Sequence, residues 1–368
     1  MARRIRLAYT AAALIPIALL AAACSSSSST PSKASPSATV PAAPKTGTLT
    51  ETGSSLLFPL FSSWTPAYTA VHSGIKLSTA STSSGVGVTD AAQGLVNIGT
   101  SDEALSASDT SQYPTLINVP LTVAGLMVTY NVSGLSAPLN LDGTVLAGIY
   151  TGKITTWNDS AIAALNPGVN LPSEKIVTIH RGDSSGSTVI LTQYLNAQDP
   201  GGWPAADIGT SITWPSVPGA LAETGSGAMV TANGSTPGSI AYVGVSYLSK
   251  VTAAKLSQAA LKNGAGKYVT ATPSSLAAAL ASFPTPPASG SETLINTTAA
   301  AGFPITNYEY AIVNKTQTSS TQAALIQNFL NWAVTTGNSS SYLGPVGFVP
   351  LPKATLAIAK SLISQISG

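Results

Sequence analysis

What this sequence has least of is charge. Its 368 residues include 16 Lys or Arg and 14 Asp or Glu, only 8%, where an average soluble protein carries about 25%. Beyond the N-terminus there is no cluster of basic residues, which excludes the electrostatic footprint needed to displace counterions from nucleic-acid phosphates. An acidic solvating tail is absent as well, so no disordered charged arm is expected. Cysteine occurs once and histidine twice, at His72 and His180. That is too little for a disulfide scaffold or a structural zinc site, and no cofactor is expected. Hydrophobic residues, by contrast, reach 44%, with 32 Gly and 25 Pro. Such a chain can bury a sizeable core joined by many turns, and its length predicts about two domains.

The single cysteine has a local explanation. Arg3, Arg4 and Arg6 precede an apolar stretch over residues 7–23, and Cys24 follows, the layout of a secretory signal peptide. Pro16 interrupts the stretch, which is shorter than the roughly 20 residues a membrane-spanning helix needs. Ala22 and Ala23 before the cysteine fit a bacterial lipoprotein signal, residues 1–23, whose removal leaves Cys24 as a lipid-bearing (palmitate) first residue. Ala21 stands where an aliphatic residue is usual. An ordinary cleaved leader with an incidental thiol is the plainer alternative. Cleavage removes three of the 16 basic residues and none of the 14 acidic ones, so 13 face 14 and the formal +2 becomes −1. Residues 24–47 include a Ser/Pro/Ala tract over 25–45 that cannot form a core and reads as a flexible tether. Folded structure is expected from about Thr48.

From Leu49 onward helical and strand patterns alternate, which predicts an α/β protein. Leu57, Phe61, Trp64, Tyr68 and Val71 recur at helical spacing, with Pro59 tolerated in the first turn and Ser54 or Ser55 as the cap. Pro66 is expected to kink or shorten that helix. Residues 75–79 alternate as a strand, Ser83-Ser84-Gly85 opens a second helix toward Leu95, and 96–99 form a short strand ending at Ser101-Asp102. Residues 121–130 read as a longer apolar strand, 161–165 as a short helix and 176–180 as a buried strand. Arg181-Gly182-Asp183-Ser184-Ser185-Gly186-Ser187 then leads into a helix over 188–195. Three times a Ser/Gly-rich turn feeds a helix. The free backbone N–H groups and partial positive charge at such helix starts bind anions. Ser is equally a common cap and Gly a common turn residue, and spacing alone does not bring the three turns together.

The run Glu51-Thr52-Gly53-Ser54-Ser55-Leu56-Leu57-Phe58-Pro59, the Ser84-Gly85 turn, Gly99-Thr100-Ser101-Asp102 and the run from Arg181 to Ser187 stand in a family's order. They resemble the substrate-binding proteins of bacterial phosphate ABC transporters. Leu141-Asp142-Gly143, Ile149-Tyr150-Thr151-Gly152-Lys153-Ile154, Trp157-Asn158-Asp159 and Pro237-Gly238-Ser239-Ile240-Ala241-Tyr242-Val243 strengthen the resemblance, which runs from about Leu49 to the last residue. It implies a type II periplasmic-binding-protein fold with two α/β lobes, a two-strand hinge and the ligand in the cleft. The crossings would fall at 119–124 and 304–310, making 48–121 plus 306–368 one lobe and 122–305 the other. It also implies that inorganic phosphate is held by Ser54, Ser55 and Leu56, by Ser84, by Asp102, and by Arg181, Ser185, Gly186 and Ser187. Phe58 would support the first turn, and Asp183 would hold the Arg181 guanidinium. Leu57 stands where some relatives have Thr, so Ser55 replaces that hydroxyl or the contact is backbone only. The implied partners are permease subunits with a cytoplasmic ATPase, no nucleic acid is implied, and the implied location is the outer face of the bacterial cell membrane. There the protein would be a monomer anchored through Cys24.

A carboxylate is at first sight misplaced in an anion site. Asp102 makes sense when the anion keeps a proton, because it can accept a hydrogen bond from monobasic or dibasic phosphate. Fully ionised sulfate leaves that carboxylate unpaired, at a cost of about 1–3 kcal/mol or more. Sulfate or molybdate is the nearest rival ligand. An enzymatic alternative comes from Gly182-Asp183-Ser184-Ser185-Gly186, which matches the G-x-S-x-G nucleophile elbow and would make Ser184 a hydrolase nucleophile. No histidine follows Ser184, as an α/β-hydrolase requires. The order His72, Asp102, Ser184 imitates that of chymotrypsin-like proteases, which are all-β. The residues therefore favour a binding protein over an enzyme.

Overall fold

In the computed structural model, residues 41–135, 138–283 and 285–368 are described. The leader, Cys24 and the tether as far as residue 40 lie outside them. The chain opens with β1 (Gly47–Gly53), α1 (Phe58–Val71), β2 (Ile75–Ser81), α2 (Ser84–Ala92), β3 (Ile98–Ser101), α3 (Ala107–Gln112) and the long β4 (Leu116–Tyr130). There follow β5 (Asn140–Leu141), α4 (Gly143–Tyr150), α5 (Ser160–Leu165), β6 (Val177–Arg181), α6 (Gly186–Gln198), β7 (Leu221–Glu223), α7 (Gly225–Ser235) and β8 (Ser239–Gly244). After β9 (Ser257–Gln258), β10 (Ala260–Lys262) and β11 (Tyr268–Val269), the strand β12 (Thr306–Asn314) precedes the helices Ser320–Val334 and Lys353–Ile363.

Eight strands lie in the order β2-β1-β3-β12-β4-β8-β6-β7, with β9 also beside β4, while β11, β10 and β5 form a small second sheet. β1 is parallel to β2 and β3, whereas β12 runs antiparallel to β3 and β4. β4 changes partner along its length: Leu116 to Gly125 pairs with β12, and Leu126 to Tyr130 pairs with β8. Except for Ile117 the whole strand is buried, which is why its sequence is almost continuously apolar. The arrangement is the two-lobe type II periplasmic-binding-protein fold. On one side, Phe61, Trp64 and Tyr68 of α1 pack against Phe329 and Trp332 of the C-terminal part. On the other, Tyr150, Trp214 and Tyr242 form a second aromatic group.

Two local expectations need correction. α1 is not shortened at Pro66 but continues to Val71. Pro66 and Ser62 are both exposed, so the carbonyl that loses its helical partner can bond water, and the buried face of Phe61, Trp64 and Tyr68 holds the helix together. The long apolar strand begins at Leu116 rather than at residue 121. Among the described residues no helix is long and apolar enough to cross a membrane.

Candidate anion-binding site

β1 ends at Gly53, whose φ of +144° suits glycine; a Cβ there would lie 2.2 Å from the Thr100 carbonyl oxygen. The close approach lets the chain turn beside the end of β3 into α1. Ser54 N donates to the Thr100 carbonyl at 3.0 Å. Ser54 Oγ accepts from Leu56 N at 3.1 Å and Leu57 N at 3.0 Å, so Ser54 is the serine that satisfies the free N–H groups ahead of α1. Phe58 begins the helix, its N–H bonded to the Ser54 carbonyl at 3.1 Å. In the second turn Ser83 caps α2 by accepting from Val86 N at 3.4 Å, and Ser84 Oγ accepts from Asp102 N at 3.4 Å. Gly85 N donates to the Ser184 carbonyl at 3.0 Å, which ties the second turn to the third.

Asp102 stands where the turns meet. It follows β3 directly and is 1% exposed. Its two carboxylate oxygens serve different elements: Oδ1 accepts from Ser54 Oγ, and Oδ2 accepts from Ser187 Oγ of α6 at 2.6 Å. Asn307 Nδ2 of β12 donates to the Asp102 carbonyl. Gly186 is the second glycine that geometry requires, since a Cβ there would come within 2.9 Å of both Asp102 Cβ and Ser84 Oγ.

Arg181, the last residue of β6, is buried and donates to Asp183 in a two-pronged pair, Nε to Oδ1 at 2.5 Å and Nη2 to Oδ2. Such a pair fixes the guanidinium plane. The remaining Nη1 donates to Ser55 Oγ at 3.3 Å. Ser185 N donates to the Thr210 carbonyl at 2.9 Å, while the buried Ser185 Oγ has no hydrogen-bond partner among the described residues. An unpaired buried hydroxyl costs on the order of 1–3 kcal/mol, so a ligand oxygen at this point would be favoured. The three turns thus meet at Asp102 through Ser54, Ser84, Gly186 and Ser187, while Arg181 reaches the first turn through Ser55.

Sequence reasoning missed a fourth helix start. Ser226 at the beginning of α7 donates its N–H to Ser55 Oγ at 3.0 Å, and the two hydroxyls are 2.8 Å apart. Thr224-Gly225-Ser226-Gly227 is another Ser/Gly turn entering a helix, the signal that could have found it. Tyr247 OH donates to the Ser55 carbonyl at 3.0 Å and Ser246 Oγ to the Leu56 carbonyl at 2.7 Å. Tyr242 OH accepts from Arg181 N at 2.9 Å, and burial pushes this phenol up to about 12, so it stays neutral beside the arginine. Behind the first turn, Thr100 Oγ1 donates to Glu51 Oε1 at 2.7 Å and accepts from Ser54 N at 3.0 Å. Burial pushes the Glu51 carboxyl up to about 7, against the opposing bonds from Thr79 and Thr100. Glu103, next to Asp102, is likewise pushed up by burial to about 7.

The hydrolase alternative does not assemble. His72 lies past the C-terminal end of the 14-residue α1, and at 1.5 Å per residue the length of that helix puts it roughly 20 Å from the turn at Ser54. His180 stacks on Trp214 with ring centres 4.6 Å apart, and its Nδ1 lies 3.1 Å from the Arg181 carbonyl. The Asp102 oxygens are taken by serines rather than by an imidazole. Among the described residues no group of three or more His, Cys, Asp or Glu is placed to hold a metal ion.

A family model described as a PBP superfamily domain matches residues 38–336. The phosphate-binding protein PstS of Xylella fastidiosa (strain 9a5c) is 32% identical over 302 residues, covering 82% of this chain and 80% of its own. The protein of the same name from Methanocaldococcus jannaschii is 32% identical over 323 residues, covering 82% of each chain. In fold, the chain is similar to the phosphate-binding protein from Stenotrophomonas maltophilia, with a TM-score of 0.66, 21% identity and 86% and 93% of the two chains covered. With a family model over most of its length and relatives at 32% identity over 82% of it, this chain belongs to the phosphate-binding protein (PstS) family within the PBP superfamily.

Proposed function

We propose that the protein captures inorganic phosphate between its two lobes and delivers it to an ABC permease driven by a cytoplasmic ATPase. The observation that carries this reading is the convergence on Asp102: serine hydroxyls from two elements bond it, and the starts of α1, α2 and α6 surround it. Helix starts and hydroxyls provide donors and partial positive charge without a basic field, which suits a chain with 8% charged residues. The phosphate shell is then Ser54, Ser55, Leu56, Ser84, Asp102, Arg181, Ser185, Gly186 and Ser187, with Phe58 behind the first turn and Asp183 fixing Arg181. Asp102 accepts a hydrogen bond from the protonated oxygen of phosphate and penalises anions that have none. About ten charge-assisted bonds at about 2 kcal/mol each would exceed the known affinity ceiling. Ordering and desolvation therefore offset most of that sum, and a micromolar or tighter Kd, about −8 kcal/mol or beyond, is the expected net.

The relatives named as phosphate-binding proteins support the same ligand. A division into 48–121 with 306–368 and 122–305 goes with this reading, supported by the change of partner along β4 and the return of β12 beside it. The protein would sit as a monomer on the outer face of the membrane, held by lipid on Cys24. Cys24→Ser should move it from the membrane fraction to the soluble one, and unchanged membrane retention would count against the anchor. Calorimetry with phosphate, sulfate and molybdate on wild type and Asp102→Asn tests the site. Wild type should prefer phosphate and Asp102→Asn should lose that preference. Sulfate binding as tight as phosphate in the wild type would overturn the role given to Asp102.

A further inference from the structure

β12 carries a buried acid that the site as described does not use. Glu309 is 0% exposed, and neither of its carboxyl oxygens has a hydrogen-bond donor among the described residues. It pairs with Thr122 of β4, next to a register irregularity at Tyr310, and it lies two residues from Asn307, whose side chain holds the Asp102 carbonyl. Antiparallel pairing sets Tyr310 opposite Ser101, which places Glu309 beside Asp102, the next residue after β3, so that the two carboxyl groups face each other. Two ionised carboxylates offer each other only acceptors, so this contact becomes a hydrogen bond only when one of them carries a proton. Carboxylates in contact cannot both ionise at modest cost. Asp102 has the Ser54 and Ser187 hydroxyls to stabilise its charge and Glu309 has none, so the proton belongs on Glu309.

The surroundings favour the same assignment. Burial first, then Asp102 and Glu103, raise Glu309 well above the usual carboxylate range. The titratable groups facing it are Asp102 and Glu103 from the end of β3 and Tyr310 from its own strand. None of these is a cation, and β4, which pairs with it, contains no charged residue.

We infer that Glu309 is a positioning residue of the anion site: its carboxyl O–H donates to the Asp102 carboxylate and fixes that group as the acceptor for a proton carried by the bound anion. The effect on ligand rests on the phosphate reading above; the shared proton does not. An ionised Glu309 would put two adjacent negative charges beneath an anion, whereas the protonated form leaves one. A donor on one side of Asp102 also directs its remaining lone pair into the site, toward the only kind of ligand that can answer it.

The test uses the whole protein in three forms: wild type, Glu309→Gln, which keeps a donor that cannot titrate, and Glu309→Met, which keeps the bulk without the donor. Infrared spectra of the ligand-free protein, taken above the pH range in which Glu51 and Glu103 ionise, should show a protonated-carboxyl band that Glu309→Gln removes and Asp102→Asn shifts. Calorimetry with inorganic phosphate and sulfate across pH should find Glu309→Gln within about threefold of wild type near neutrality, with a weaker decline at alkaline pH. Glu309→Met should bind phosphate about tenfold or more weakly, the loss of a hydrogen bond to a charged group, and should discriminate less against sulfate. Equal phosphate affinity and selectivity in the Gln and Met variants would overturn the inference. So would a Glu309→Gln affinity more than about tenfold above wild type, the mark of a removed negative charge. If Glu309→Met does not fold, the infrared comparison of wild type with Glu309→Gln decides, and a band unaffected by that substitution overturns the inference. Absence of phosphate binding by wild type would defeat the functional reading, and the infrared result would still answer for the proton.

Discussion

The Ser187 hydroxyl at the start of α6 donates to Asp102 Oδ2 at 2.6 Å across 85 residues of sequence. Ser54 from the first turn serves the other carboxylate oxygen. Asp102 therefore has one serine donor from each side, and α6 must approach the end of β3 to complete the set. Both donors are buried, so removing either leaves a charged acceptor short of a partner that water cannot easily replace.

Ser187→Ala should weaken phosphate binding by about tenfold, about 1.4 kcal/mol, the scale of a hydrogen bond to a charged group. The helix itself should persist, because Gly186 and Ser187 lie in its first turn and the buried side chains Ile190, Leu191, Tyr194 and Leu195 follow. Titration calorimetry together with thermal melting separates the two effects. An affinity unchanged within about twofold would mean that the Ser187 bond contributes no net stabilisation to the bound state.

The turns that feed α1, α2 and α6 were legible because local chemistry announces them: small hydroxyl residues and glycine just ahead of an apolar periodic segment. Asp102 and Arg181 were legible as strand-end residues beside such turns. What spacing could not supply was the sheet order, which sets β12 between β3 and β4 although 175 residues lie between Tyr130 at the end of β4 and Thr306 at the start of β12. Glu309 was invisible for that reason. In Asn307-Tyr308-Glu309-Tyr310 it reads as the polar member of an alternating strand, and only the pairing of β12 with β3 brings it beside Asp102. Pro66 shows the opposite failure: a local rule predicted a kinked or shortened helix, and α1 is not shortened, because packing of Phe61, Trp64 and Tyr68 outweighed one missing hydrogen bond on the exposed face.

Glu51 links the first turn to pH. Its carboxyl titrates near 4.5 when exposed and at about 7 in the folded protein, where burial outweighs the bonds from Thr79 and Thr100. Between those values the folded state holds more protons than the unfolded one, so stability is greatest below the window and falls as pH rises through it. Glu103, raised in the same direction to about 7, adds to the fall. The melting temperature should therefore drop as pH is raised from about 5 to about 8, and Glu51→Gln should flatten part of that drop. A Glu51→Gln profile parallel to wild type across the window would remove Glu51 from the account.

Gly186→Ala separates folding from binding. Gly186 has no positive φ to preserve among the glycines of this chain that do, and alanine is favoured over glycine in helices by up to about 1 kcal/mol, so the α6 lobe should lose no stability from its backbone. The obstacle lies across the cleft, where a Cβ would stand 2.9 Å from Asp102 Cβ, 2.9 Å from Ser84 Oγ and 3.1 Å from Asp102 N. Two of these three neighbours are held by the β3 backbone and the third by a helix start, so none is a flexible chain end that can swing aside. Relief must come from α6 moving back as a unit, which lengthens the Ser187 bond to Asp102 and withdraws the Ser185 hydroxyl from the site. The expected outcome is a protein that still folds, with a melting temperature lowered by the loosened Ser187 bond and phosphate affinity lower by about tenfold or more. Wild-type affinity in a folded Gly186→Ala protein would show that ligand binding does not require α6 to approach Asp102 as closely as the 2.6 Å Ser187 bond implies.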